Sequence, residues 1–135
     1  MKAITNMISI FIISLMVTAC ATTQSKPPEK YNFDNELAEA TGISNFQIKS
    51  WEEIDYQSLI LRTNVNDYYL IVLQQPTLNL PFSENIGVTI TVNDVKPGYD
   101  NVVIKDSTGI KSYVIHKIYK LKDREQAIEI KKRLR

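Results

Sequence analysis

His116 is the one histidine in the chain, so acid–base or nucleophilic chemistry would have to run through it. A Ser–His–acid set needs a serine oxygen within hydrogen-bond reach of the imidazole and an acid behind it. Ser112 lies four residues away along the same predicted strand, roughly 13 Å at about 3.3 Å per residue. Ser107 sits in a turn, and no Gly-x-Ser-x-Gly elbow presents a nucleophile. Asp100 and Asp55 are the acids that a small envelope hydrolase would set beside His116. Flanked by Val114 and Ile118, the residue reads instead as an ordinary strand histidine. Glu52, Glu53 and Asp55 gather beside Trp51, as a glycosidase pair would. Adjacent residues of an extended chain point to opposite faces, however, so Glu52 and Glu53 do not converge. Asn64, Asn66 and Asp67 alternate oxygen ligands, but the glycine and distal glutamate of a calcium loop are missing. No phosphate-binding glycine loop occurs, and a lone histidine is too little for a zinc site. The reading is of a non-enzyme, with no catalytic residue, no metal site and no cofactor.

The chemistry that the sequence does spell out is at Cys20. Lys2 supplies a positive start, and Met7 to Val17 is apolar apart from Ser9 and Ser14. That run is about half of the roughly 20 residues that span a bilayer as a helix, and it reads as a secretory leader. Val17-Thr18-Ala19-Cys20 then resembles the lipobox of bacterial lipoproteins: an aliphatic residue, a tolerant position, a small residue and the cysteine whose thiol takes a diacylglyceryl group. Cleavage is expected between Ala19 and Cys20. Several acyl chains on one residue make attachment effectively permanent, because each buried methylene contributes about 0.8 kcal/mol. Cys20 is the only cysteine, so its lipidation leaves no thiol and excludes a disulfide. Ala21 stands where an aspartate commonly retains Gram-negative lipoproteins in the inner membrane, and the expected address is the outer membrane, periplasmic face.

The 16 Lys+Arg and 15 Asp+Glu nearly cancel, and Lys2 belongs to the leader, so the mature chain is formally neutral. That balance argues against nucleic acid, whose binding requires many phosphate-neutralising cations. The partners expected are the membrane, through the lipid, and an envelope protein.

What positions any binding residue is a small mostly β domain. Residues 1–19 read as the signal peptide, 20–41 as the lipidated cysteine and a flexible tether rich in Thr, Pro and Lys, and 42–135 as the domain. Within the tether, Asp34 to Thr41 suggests a short helix stopped by Gly42. Period-two alternation begins with Ile43, Phe46 and Ile48. It continues through Leu59 and Leu61, and Ile86, Val88, Ile90 and Val92 extend it. Tyr68 to Leu73 is apolar on both faces, as a central strand is. Asn93-Asp94, Pro97-Gly98 and Asp106 to Gly109 are turns, and Ile110 to Leu121 is a long last strand with Tyr113, Ile115, Tyr119 and Leu121 on one side. Asp123 and Gln126 form a capping box for a helix over about 122–135 that buries Ala127, Ile130 and Leu134. Lys131, Lys132, Arg133 and Arg135 occupy its last turn, where the dipole favours cations and anionic headgroups would find them. The whole predicts a mainly β fold: a small antiparallel β-barrel of OB-like or SH3-like size, about six strands, with a C-terminal α-helix.

Trp51, Asp55, Ser58-Leu59-Ile60-Leu61, Tyr68-Tyr69-Leu70, Pro76, Leu80, Ile86-Gly87, Asp100 and Ile115-His116-Lys117-Ile118 fall in an order that resembles an uncharacterised family of small Gram-negative envelope lipoproteins, catalogued as a domain of unknown function. The resemblance covers Ile43 to Leu121 and implies no activity. In that family a cysteine follows the proline matched by Pro76, and another stands near the start of the last strand; here these positions are Thr77 and Tyr113. If the family bridges the pair, this chain has lost both halves. The function expected is that of a membrane-anchored binding or assembly module. Trp51, Tyr68, Tyr99, Tyr113 and Tyr119 are its candidate binding surface. A small-ligand site at the barrel mouth is the other non-hydrolytic alternative.

Overall fold

Tyr68–Leu73 is apolar at consecutive positions because both of its faces are covered. In the computed structural model, which describes residues 25–64 and 66–135, this strand lies in the interior of one antiparallel sheet. The cleavage and lipidation expected at Ala19 and Cys20 fall outside the described residues. The elements are β1 (Ala38–Glu39), β2 (Ile43–Ser44), β3 (Ser50–Glu53), β4 (Ser58–Arg62), β5 (Tyr68–Leu73), β6 (Ile86–Val88), β7 (Asp94–Val95), β8 (Asn101–Asp106), β9 (Gly109–Leu121) and α1 (Arg124–Leu134). The main sheet runs β3-β4-β5-β9-β8-β6, with β1 also paired to β9, while β2 and β7 form a separate pair.

The sheet curls into a half-barrel and stays open. Its outer strands, β3 and β6, end the order without pairing to one another, so the barrel-like sheet expected from strand spacing is a half-barrel. The mainly β class and the C-terminal helix stand as expected. Leu59, Leu61, Ile71, Leu73, Ile104, Ile115 and Ile118 form one cluster with Leu80, Val95 and Val102, filling the inside of the curl. Leu70, Val72, Tyr119 and Leu121 point the other way and meet Ala127, Ile130 and Leu134 of α1.

The helix forms as its sequence dictates. Asp123 accepts a hydrogen bond from the Gln126 amide at 2.9 Å, and the Gln126 side chain accepts one from the Lys122 amide at 2.7 Å, a variant of the reciprocal cap.

Several boundaries are corrected. Residues 25–41 are a strap, not a free tether: Tyr31, Phe33 and Leu37 are buried in the helix-side cluster, and β1 pairs with Tyr119 and Lys120. No helix forms over 34–41, because this segment gains more by pairing with β9 than a single short turn would. Gly42 is not a helix stop; a Cβ there would meet the Val95 carbonyl oxygen at 3.0 Å, so glycine allows β2 to approach β7. Phe46 and Ile48 lie outside any strand, since Asn45 turns the chain with φ of 50°. β6 ends at Val88. Ile90 and Val92 are exposed on a turn whose central residues, Val92 and Asn93, have φ of 51° and 68°.

The largest correction concerns β9. Val72 pairs with Lys117 but Leu73 pairs with Ile115, so His116 is the extra residue of a β-bulge. The bulge inverts the phase of the strand. Tyr113 and Ile115 face the inside of the curl, whereas Tyr119 and Leu121 face the helix, and the four residues do not share a side.

Candidate functional site

The bulge aims His116 at Gln74, whose Oε1 lies 2.9 Å from the imidazole Nδ1. The same amide donates from Nε2 to the Ser25 carbonyl at 2.9 Å. Burial, followed by the positive charges of Lys117 and Lys26, holds the imidazole below the usual histidine range. The acids that the hydrolase reading would place here are engaged elsewhere. Asp100 is 2 % exposed and accepts from the Thr89 and Thr91 hydroxyls and the Lys96 amide, tying the two loops around β7 together. Asp55 accepts from Lys30, Tyr31, the Gln57 amide and both donors of Ser58. Burial pushes its carboxyl up, but those bonds outweigh burial and hold it below the usual carboxylate range. Both aspartates staple the fold.

The five aromatic residues read as one surface are separated. Tyr119 is fully buried, donates to Asp34 at 2.7 Å and packs edge-on against Phe33. Its full burial removes it from any exposed binding surface. Trp51 and Tyr113 pack against the inside cluster, where Tyr113 accepts from Asn79 at 3.2 Å. Tyr99 is 78 % exposed in the loop between β7 and β8. Tyr113 also borders a hollow of about 240 Å³ beside Gln74 and Ser112, and Tyr68 joins the larger, cation-rich concave site. The inside of the curl is occupied by its own side chains, eight of them among the largest fully buried ones, so a ligand at its mouth would find filled space.

That concave site is a groove of about 690 Å³ on the helix side of the sheet. Strand register builds its floor. Ser50 pairs with Arg62 and Arg62 with Tyr68, while Glu52 pairs with Ile60, so these side chains share one face. Helical geometry builds the wall. At about 100° per residue, Arg124, Ile128, Lys131, Lys132 and Arg135 fall in a single stripe beside the buried one. The groove thus gathers Arg62, Arg124, Lys131, Lys132 and Arg135 against one carboxylate, Glu52.

The cations are not equivalent. Arg62 lies over the Tyr68 ring with its guanidinium 5.8 Å from the centroid, and its Nε donates to the Asn64 carbonyl. Lys131 contacts Glu52, and Arg135 lies 3.7 Å from Glu53. Burial, and then the charge of Arg135, keep the Lys131 ammonium below the usual lysine range. Glu52 is more than half exposed and too well hydrated to reverse that. Arg124 and Lys132 are exposed and make no ion pair among the described residues. Arg133, which the sequence groups with these cations, leaves the groove for the strap, where it binds Glu36 at 2.6 and 3.1 Å and covers Phe33. Cations arrayed around an apolar lining of Ile60 and Tyr68 on the floor and Ile128 on the wall can hold an anionic group next to a nonpolar one.

The terminal cations were visible as a cluster in the sequence. Arg124 joins them by helical spacing alone, whereas Arg62 and Tyr68 were not visible as neighbours, because two strand registers and a helix docking angle bring them to the helix. Compared with known proteins, residues 3–135 match the family model described as "Family of unknown function (DUF6491)". No curated protein and no solved structure matches.

Proposed function

The chain belongs to the family of unknown function DUF6491, and from that starting point we propose that it is a periplasmic lipoprotein of the cell envelope, anchored to the outer membrane through Cys20, that works as a non-enzymatic binding module. Its binding surface is the groove beside α1, and its ligand carries an anionic group. The observation that supports this most is the charge of the groove: five cations face one carboxylate in a chain whose charges otherwise nearly cancel. Neutral chains do not concentrate like charges without cost, since each repels the next. A site that binds an anion recovers that cost. His116 is left out of the reading, because its ring nitrogen is held by an amide that also fastens the strap.

The test uses the purified full chain in a nonionic detergent, titrated with glycerol phosphate and followed by amide NMR. Shifts concentrated at Arg124, Ile128, Lys132 and Arg62, saturating with ligand and lost in Arg124→Glu/Lys132→Glu, are the expected result. Shifts spread evenly over surface lysines, or none at all, would refute the groove as the site. Intact mass of the same preparation checks the anchor separately, with a triacylated chain beginning at Cys20 as the expected species.

A further inference from the structure

The strap and the groove occupy the same face of the sheet. Tyr31, Phe33 and Leu37 of the strap share one cluster with Ala127, Ile130 and Leu134 of α1. Arg133 fastens the two directly through Glu36. The strap is in place from Ser25 onward, because Gln74 holds the Ser25 carbonyl and Lys30 and Tyr31 hold Asp55. Cys20 precedes Ser25 by five residues. Whatever path the intervening chain takes, a lipid on Cys20 lies within roughly 18 Å of Ser25, at no more than about 3.6 Å per residue. A tether running to residue 41 would have let the domain stand well off the bilayer in any orientation. This one keeps the domain within a short reach of the headgroups, although Ser25 is held at Gln74, past the end of β5, and the groove opens at Tyr68, about 20 Å away along that strand.

From Arg124 and Lys132, the groove's cations without an ion pair among the described residues, and from the short reach of the tether, we propose that the groove beside α1 takes the phosphate of anionic lipid headgroups in the same bilayer that carries the anchor. The inference rests on the lipoprotein reading and deepens it by naming the ligand. Lys132 and Arg124 supply uncompensated charge, and the exposed ammonium and guanidinium groups reach a phosphate without breaking an ion pair. Tyr68 and Ile128 line the same groove and suit the glycerol and ester region that adjoins a headgroup phosphate. The acyl chains hold the protein to the membrane, and the basic groove sets its orientation on it. Headgroup attraction falls off within a Debye length of about 8 Å, so it acts once the domain turns the groove onto the bilayer.

The test places the lipidated full chain in vesicles. Acylation consumes the sulfur of Cys20, so an introduced cysteine is the one site for a thiol-reactive nitroxide. Glu129→Cys puts the label on α1 beside the groove, and Ile110→Cys puts it on the β8–β9 hairpin. In vesicles containing phosphatidylglycerol, the α1 label is expected to be shielded from a water-soluble relaxation agent and the hairpin label to stay accessible. In phosphatidylcholine vesicles both should be accessible. Arg124→Gln and Lys132→Gln, combined or singly, should each weaken the shielding roughly fivefold per charge removed, as should about 0.5 M salt, while the protein continues to float with the vesicles. Equal accessibility of the two labels, or shielding indifferent to phosphatidylglycerol, overturns the inference. If glycerol phosphate still binds the groove in that case, the proposed function stands and the bilayer is not the source of its ligand. A protein that does not float and shows a free thiol removes the anchor and this inference together.

Discussion

Asp55 accepts five hydrogen bonds from two segments: Lys30 and Tyr31 on the strap, and the Gln57 amide and both Ser58 donors at the β3–β4 turn. Asp55→Asn keeps the shape but removes the charge and aims an amide at donors. A loss of about 2–3 kcal/mol is expected, the range for hydrogen bonds to a charged group, measured by urea unfolding at neutral pH. The pH dependence follows from the direction of the shift. The folded carboxyl titrates below its ordinary value, so its contribution is complete above about pH 4 and is lost as pH falls through the lowered folded value. The wild type should therefore lose stability in that acid window more steeply than Asp55→Asn; identical slopes would mean that the carboxylate is not the staple. Tyr31, its partner, has its phenol pushed by burial up to about 12, so it stays a donor to Asp55 across the whole physiological range. His116 should titrate below the ordinary histidine value by NMR, because burial and two cations oppose its charging; a midpoint at or above that value would contradict its place under the strap. The identity of His116 as the lone histidine was plain in the sequence, but its partner was not, because an inserted residue in β9 decides where the ring points.

Among the elements, the strap carries the clearest mechanical consequence. Phe33 is buried, stacks edge-on against Tyr119 at 5.8 Å and lies under Arg133. Phe33→Ala should cost about 3–5 kcal/mol in thermal or urea unfolding, as for other large-to-small changes in packed cores. Tyr99→Ala, at an exposed loop, should fall within about 0.5 kcal/mol of wild type. Equal effects would show that the strap is not part of the core. Asp123→Ala removes the helix cap and should cost about 1 kcal/mol. The helix was readable because its signals are local: the cap, the answering glutamine and the apolar stripe all lie between Asp123 and Leu134. The strap was not readable. Its polar and proline residues dominate the composition, and its three anchors, Tyr31, Phe33 and Leu37, are buried in one cluster with residues far along the chain.

For the whole molecule, the corrected boundary predicts how the protein comes apart. Limited proteolysis of the intact protein should leave a resistant core that begins before Tyr31 and retains α1, because strap, sheet and helix share one cluster. N-terminal sequencing of the fragment checks this, and a stable core beginning at residue 42 would refute it. The openness of the sheet has a consequence on the same scale. With β3 and β6 unpaired to each other, the inside of the curl is sealed by β2, β7 and the loops that Asp100 ties together, not by strand closure.

Taken by itself, the sequence determined the mainly β class, the central place of β5, the β8–β9 hairpin, and the position, cap and buried face of α1. Each of these follows from periodicity or chemistry within a dozen neighbouring residues. Tertiary structure alone decided that the sheet stays open, that residues 25–41 belong to the core, that a bulge at His116 turns Tyr119 away from Tyr113, and that Arg62 and Tyr68 meet the cations of the helix. Those outcomes depend on register and on pairing between residues far apart in the chain. A one-residue slip in register sends a side chain to the opposite face, and local composition does not report it.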